Sequence, residues 1–204
     1  MKLLFKLIAV SALAVAWAGP ADAQRNPPPK PVNGAEHGVY LKAALPLDEP
    51  RHLCLDIPGH GGRVNVKRDL SVHSCKEGIW NLDERFVKSA VSSGDLKMPQ
   101  YNQCVAAREA KTGSKVGLVA CGSTKLAKWE YKEARLTLAG HSNLCLTIGP
   151  EASALTPGGQ RLPSRNMARS VGIDTCSGKA IERQLWTFAD PLNITKPLMP
   201  PKGK

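Results

Sequence analysis

The chain has 204 residues, a formal charge of +11 at pH 7 and 42% apolar residues, with aromatics at 5%. That apolar content supports a folded core and excludes wholesale disorder. The single long apolar run lies at the N-terminus, which excludes a multi-span membrane protein, and no heptad pattern suggests a fibre.

Lys2 and Lys6 precede a twelve-residue apolar stretch at residues 7–18, and Ala21-Asp22-Ala23 follows. A basic start, a short apolar stretch and small residues at the cleavage positions describe a secretory leader, residues 1–23. The stretch is too short to cross a bilayer, which needs about 20 apolar residues. The product expected is secreted or periplasmic, with no transmembrane segment after cleavage. All six cysteines (54, 75, 104, 121, 145 and 176) lie beyond the leader. An even count in an exported chain reads as disulfides, not metal ligands.

Residues 24–38 are Pro-rich, polar and aperiodic, and read as an extended tether. Residues 191–204 form a similar basic, Pro-rich tail. Between them, residues 39–190 make one domain, and within it a pattern recurs three times. A run with Cys at its second position (residues 53–57, 103–107 and 144–148) is followed by a loop. Two aliphatics then precede a second Cys: Leu70 and Val72 before Cys75, Val116 and Leu118 before Cys121, Val171 and Ile173 before Cys176. Each unit continues to a tryptophan, Trp80, Trp129 or Trp186, with Leu82, Tyr131 or Phe188 two places on.

The period is 2 throughout, which marks half-buried strands. A further strand is expected at the start of each unit, over residues 39–43, 90–98 and 135–139. About twelve short strands without a helical window define an all-β fold. One such unit cannot bury its own apolar face, so the three are expected to share a core built on Trp80, Trp129 and Trp186. Equivalent positions of the cysteines favour bridges within units: Cys54–Cys75, Cys104–Cys121 and Cys145–Cys176. The third unit carries an insertion, residues 149–167, rich in Gly, Pro and Ser, which reads as a surface loop.

With Gln184-Leu185-Trp186 closing the third unit, this pattern resembles the ricin-type lectin family, whose β-trefoil fold is built of three repeats ending in Q-x-W. The corresponding triplets are Gly78-Ile79-Trp80 and Ala127-Lys128-Trp129, so two of three lack the Gln. The resemblance covers residues 39–190 and implies a carbohydrate-binding function. Family sugar sites use an Asp two residues after the first Cys, a ring shortly before the second, and Asn plus Gln just ahead of the Trp. The first unit offers Asp56, His73, Glu77 and Gly78 there, the second Ala106, Val119, Leu126 and Ala127, the third Thr147, Asp174, Arg183 and Gln184. Only the first keeps the Asp, so the expected sugar site is Asp56 with His73, completed by His60, Arg63 and Asn65. An outward-facing Asp56 carboxylate would accept hydrogen bonds from sugar hydroxyls. The plain alternative is an exposed Asp56 paired with Arg63 or Lys67, which contributes little.

Catalysis is not expected. G-x-S-x-G, H-E-x-x-H and the phosphate loop are missing from the sequence, and His37, His52, His60, His73 and His141 form no i, i+2 or i, i+4 pair. No catalytic residue, metal or cofactor is therefore assigned. The expected partners are glycans or glycoconjugates. Two alternatives use other features: an adhesion protein whose basic field attracts anionic polysaccharide, or a protease inhibitor presenting the Arg161 loop. A targeting subunit of a toxin complex is a variant of the lectin reading. Nucleic acid suits the charge but not the exported address.

Overall fold

The computed structural model describes residues 29–32 and 34–202. The expected leader and the first part of the tether lie outside the described residues. Thirteen strands are found among the described residues, beginning with β1 (Val39–Ala43), β2 (Leu53–Asp56), β3 (Ser71–Ser74) and β4 (Arg85–Phe86) in the first unit. The second unit contributes β5 (Lys97–Met98), β6 (Gln103–Ala107), β7 (Val116–Ala120) and β8 (Trp129–Lys132). The third contributes β9 (Arg135–Leu138), β10 (His141–Ile148), β11 (Ala154–Leu155), β12 (Met167–Thr175) and β13 (Trp186–Ala189). The fold is an all-β trefoil. The alternating Leu53, Leu55 and Ile57 face the core together and are fully buried, as a period of 2 requires.

Each unit is a cysteine-bearing hairpin, β2–β3, β6–β7 and β10–β12, all antiparallel. Neighbouring units join where β13 pairs with β1 and β8 with β9, while the Val87 amide donates to the Lys97 carbonyl between β4 and β5. The expected strand over 90–98 resolves into a 3-10 turn, Lys88–Ser93, followed by the short β5. β12 is long because it serves two hairpins, pairing with β10 at one end and with β3 at the other. The three disulfides join Cys54 to Cys75, Cys104 to Cys121 and Cys145 to Cys176. Each closes a loop whose constraint on the unfolded chain stabilises by about 3 kcal/mol in the chain-entropy account.

The shared core contains Trp129 and Trp186 in equivalent settings. The Trp129 indole N–H donates to the Val105 carbonyl and that of Trp186 to the Leu146 carbonyl, both at 2.9 Å. Each acceptor directly follows the first cysteine of its unit. Trp80 breaks the pattern: it is half-buried outside the core cluster, and its indole donates to the Pro29 carbonyl. In the first unit the core position belongs to Phe86, which is fully buried. The unit's closing triplet is therefore Glu84-Arg85-Phe86, not Gly78-Ile79-Trp80. The physical reason is reach. Trp80 follows Cys75 too closely to return to the core, and the turn Leu82–Glu84 carries the chain there first.

The insertion is more ordered than a plain surface loop. β11 pairs with β12, and a short helix, Pro157–Arg161, starts with Thr156 accepting from the Gly159 amide. Pro at the first helical position and Thr as cap suit that start. Arg161 ends this helix, so the extended loop an inhibitor would need is not formed there. The segments outside residues 39–190 also differ from free tethers. Residues 191–202 lack regular structure but lie along the body, with the Leu192 amide donating to Glu77 and the Leu198 carbonyl accepting from Arg51. Gly78 (φ +74°) sits directly under this segment, where a Cβ would overlap the Lys196 carbonyl. Gly78→Ala should therefore lift the segment, seen as faster hydrogen exchange at the Leu192 amide with the core amides unchanged.

Candidate functional site

The three units carry three versions of one position, beginning two residues after each first cysteine at Asp56, Ala106 and Thr147. In the first unit Asp56 does not face solvent. Its side chain is 2% exposed and accepts a hydrogen bond from the Lys76 ammonium at 2.9 Å. Lys76, also 2% exposed, donates to Asp83 at 2.7 Å and lies 3.8 Å from Glu84. The Lys76 amide donates to the other Glu84 oxygen. His73 lies beside the cluster, its Nδ1 2.7 Å from the Ser74 carbonyl and 3.6 Å from Glu84. The expected outward acceptor is thus the base of a buried ionic cluster, and neither Arg63 nor Lys67 pairs with it.

The charges in this cluster are set by burial first. Burial pushes Asp56 and Glu84 well above the usual carboxylate range and raises Asp83, with the Lys76 charge pulling all three back. Burial alone would lower Lys76, but Asp56, Asp83 and Glu84 overcome it and keep the ammonium protonated. His73 is pushed down to about 3 by burial and then by the Lys76 charge, so its ring is neutral at pH 7. Asp56, His73 and Glu84 bring ligand atoms within 4.8 Å of one another. The Lys76 ammonium is already the cation among those atoms.

Of the other residues expected at this site, Arg63 and Asn65 do not join the Asp56 cluster, whereas His60 lies near enough for its charge to act on Asp83 and His73. Arg63 and Asn65 are exposed on the loop before β3, where Asn65 accepts from the Lys67 amide in a local turn. His60 is exposed and meets Trp80 edge-to-face at 5.5 Å. Sequence reasoning missed Lys76, Asp83 and Glu84, because anchoring the closing triplet on Trp80 displaced the comparison by six residues. With Phe86 as anchor, Asp83-Glu84 takes the place of the family's Asn-Gln pair.

In the second unit the position is filled by apolar side chains: Ala106 and Ala127 are buried with Cys104, and Val119 packs against them. The third unit keeps a cavity of about 200 Å³, lined among others by Thr147, Asp174, Arg183, Lys115 and Ser114. Gln184, fully buried, holds its floor by donating to Thr147 Oγ1 at 3.0 Å and to the Thr175 carbonyl at 2.9 Å. Its own oxygen accepts from the Ser177 amide, as Glu84 accepts from the Lys76 amide in the first unit. Arg183 is oriented by donating to the Ile148 carbonyl at 2.6 Å, and Asp174 by accepting from the Thr175 amide at 2.7 Å.

The ricin-type beta-trefoil lectin domain matches residues 47–165, well over half the chain, so the protein belongs to the ricin-type β-trefoil lectin family. Among solved structures it is similar to the agglutinin from Abrus precatorius, with a TM-score of 0.53 at 14% identity over 74% of this chain and 48% of that one. The chain thus spans about half the length of that agglutinin chain. It is also similar to the mdaA-1 domain, solved in solution, with a TM-score of 0.53 at 13% identity over 76% of this chain and 91% of that domain. At these identities the likeness speaks for the fold alone. No curated protein matches the sequence. Membership of the family supports a carbohydrate-binding, lectin-like function, in a class of modules that are typically non-catalytic. Among the described residues no helix is long and apolar enough to cross a membrane.

Proposed function

We propose that this is an exported, non-catalytic lectin whose glycan site is the third-unit pocket. One observation carries the choice: of the three equivalent positions, the third combines a cavity with oriented polar side chains. A small pocket with a few fixed polar groups is what recognition of a sugar residue requires. Arg183 and Lys115 outnumber Asp174 among the charged lining residues, which favours a glycan bearing a carboxylate or sulfate. A guanidinium matches such groups bidentately. The leader-like start and the three disulfides support export to an oxidising compartment.

A glycan array at two salt concentrations tests this. Arg183→Ala should weaken binding about ten- to a hundredfold, the loss of a charged hydrogen bond worth roughly 1.5–3 kcal/mol. Asp56→Ala reports on the first unit, and a specific loss there with Arg183→Ala unchanged would move the site back to Asp56. Binding that collapses with salt for every variant alike would mark attraction by the basic surface instead of a pocket.

A further inference from the structure

Seven large apolar side chains are exposed among the described residues, and four of them, Leu162, Leu192, Leu198 and Met199, fall within residues 161–166 and 191–202. One guanidinium joins these two stretches. Arg51, only 6% exposed and paired with Glu49 at 2.7 Å, donates to the Ser164 carbonyl at 2.6 Å, the Arg165 carbonyl at 3.2 Å and the Leu198 carbonyl at 3.4 Å. The Arg165 amide closes a turn onto the Leu162 carbonyl at 3.0 Å, with Arg165 itself in the left-handed region at φ +46°. Leu162 on the insertion and Leu198-Met199 on the C-terminal segment are thus held on adjoining segments, between 37% and 50% exposed.

The charge around them has one sign. Residues 161–166 and 191–202 hold Arg161, Arg165, Lys196 and Lys202, all exposed, and no Asp or Glu. The acids that meet these stretches from the body are engaged, Glu49 by Arg51 and Glu77 by the Leu192 amide. Pro197, Pro200 and Pro201 flank Leu198-Met199 and carry no amide hydrogen, so this part of the chain has few donors to strip of water. Apolar side chains left in water beside Lys and Arg suit the boundary between lipid headgroups and acyl chains, where the apolar groups enter and the cations meet phosphates. We propose that the insertion turn and the C-terminal segment form an interfacial anchor, seating Leu162, Leu198 and Met199 in an anionic lipid surface with Arg161, Arg165, Lys196 and Lys202 against its headgroups. The charge draws the protein to the surface, and the apolar side chains hold it there.

Co-sedimentation of the full chain with sugar-free vesicles tests this. Vesicles of phosphatidylcholine mixed with phosphatidylglycerol should bind it at least about tenfold more tightly than phosphatidylcholine alone. Leu162→Ser, Leu198→Ser and Met199→Ser together leave the net charge and the buried core as they are, and should weaken binding to the mixed vesicles by about tenfold or more. Arg161→Gln and Lys202→Gln should each weaken it about fivefold. Arg183→Ala should bind the mixed vesicles like the unaltered chain, which separates the anchor from the third-unit pocket. Undiminished binding by the triple serine variant would reduce the effect to attraction by the basic surface and overturn the proposal, as would equal binding to both kinds of vesicle. Binding to neither, with self-association in solution that the three serines abolish, would also overturn it and give the patch to a second copy of the chain.

Discussion

Replacing Lys76 by Met should destabilise the fold by about 3–5 kcal/mol at pH 7, the usual cost of removing one partner from a buried ionic group. The variant leaves Asp56, Asp83 and Glu84 facing one another without a cation, each nearly sealed from water. The defect should heal with acid. Their folded-state values are already raised by burial, and losing Lys76 raises them further. A raised carboxylate contributes stability that is present below its ordinary value, near 4, and lost as the pH rises through the folded one. Urea denaturation of the variant should therefore give a higher midpoint at pH 5 than at pH 7. His73 works in the opposite sense in the native protein. Its folded value of about 3 lies below the ordinary histidine range, so its contribution is present above about 6.5 and fades as the pH falls towards 3. The Lys76 charge is one cause of that depression, so Lys76→Met also relieves part of this acid penalty. An equal loss at both pH values would show that the cluster is not held by charge.

Trp186→Ala and Phe86→Ala should each cost about 3–5 kcal/mol, as for large core aromatics generally, because both side chains are fully buried in the shared core. Trp80→Ala should cost only about 1 kcal/mol, the ordinary scale for a substitution outside the core. Guanidinium denaturation of the three variants separates them. A loss at Trp80 equal to that at Trp186 would return Trp80 to the core and remove Phe86 from the role of its counterpart.

The alternating runs 53–57, 103–107 and 144–148 made the hairpins readable, since a period of 2 survives whatever the partner strand is. The disulfides were readable for a related reason: six cysteines in two equivalent places per unit leave within-unit bridges as the arrangement common to all three. Trp80 misled because the closing triplet was recognised by its indole. Distance along the chain held the better signal: Phe86 follows Cys75 by eleven residues, Trp186 follows Cys176 by ten and Trp129 follows Cys121 by eight, whereas Trp80 follows Cys75 by only five. The site reading suffered from the same displacement. Asp56 matched the family's pattern by residue type, but Lys76, adjacent to a disulfide cysteine, carried no mark of being its partner.

Local patterning alone determined the all-β units, their bridges and the insertion between β10 and β12, because alternation and cysteine placement are properties of neighbouring residues. Which aromatic entered the centre, and which of the three related surface positions stayed open, was decided only when the units closed on one another. Tertiary packing brought Lys76 to three carboxylates within the first unit, packed alanines within the second and left space beside Arg183 in the third, against Ser114 and Lys115 of the second. Those outcomes depend on distances between side chains remote in sequence and on the cost of burying charge, and neither is written in the spacing of any single motif.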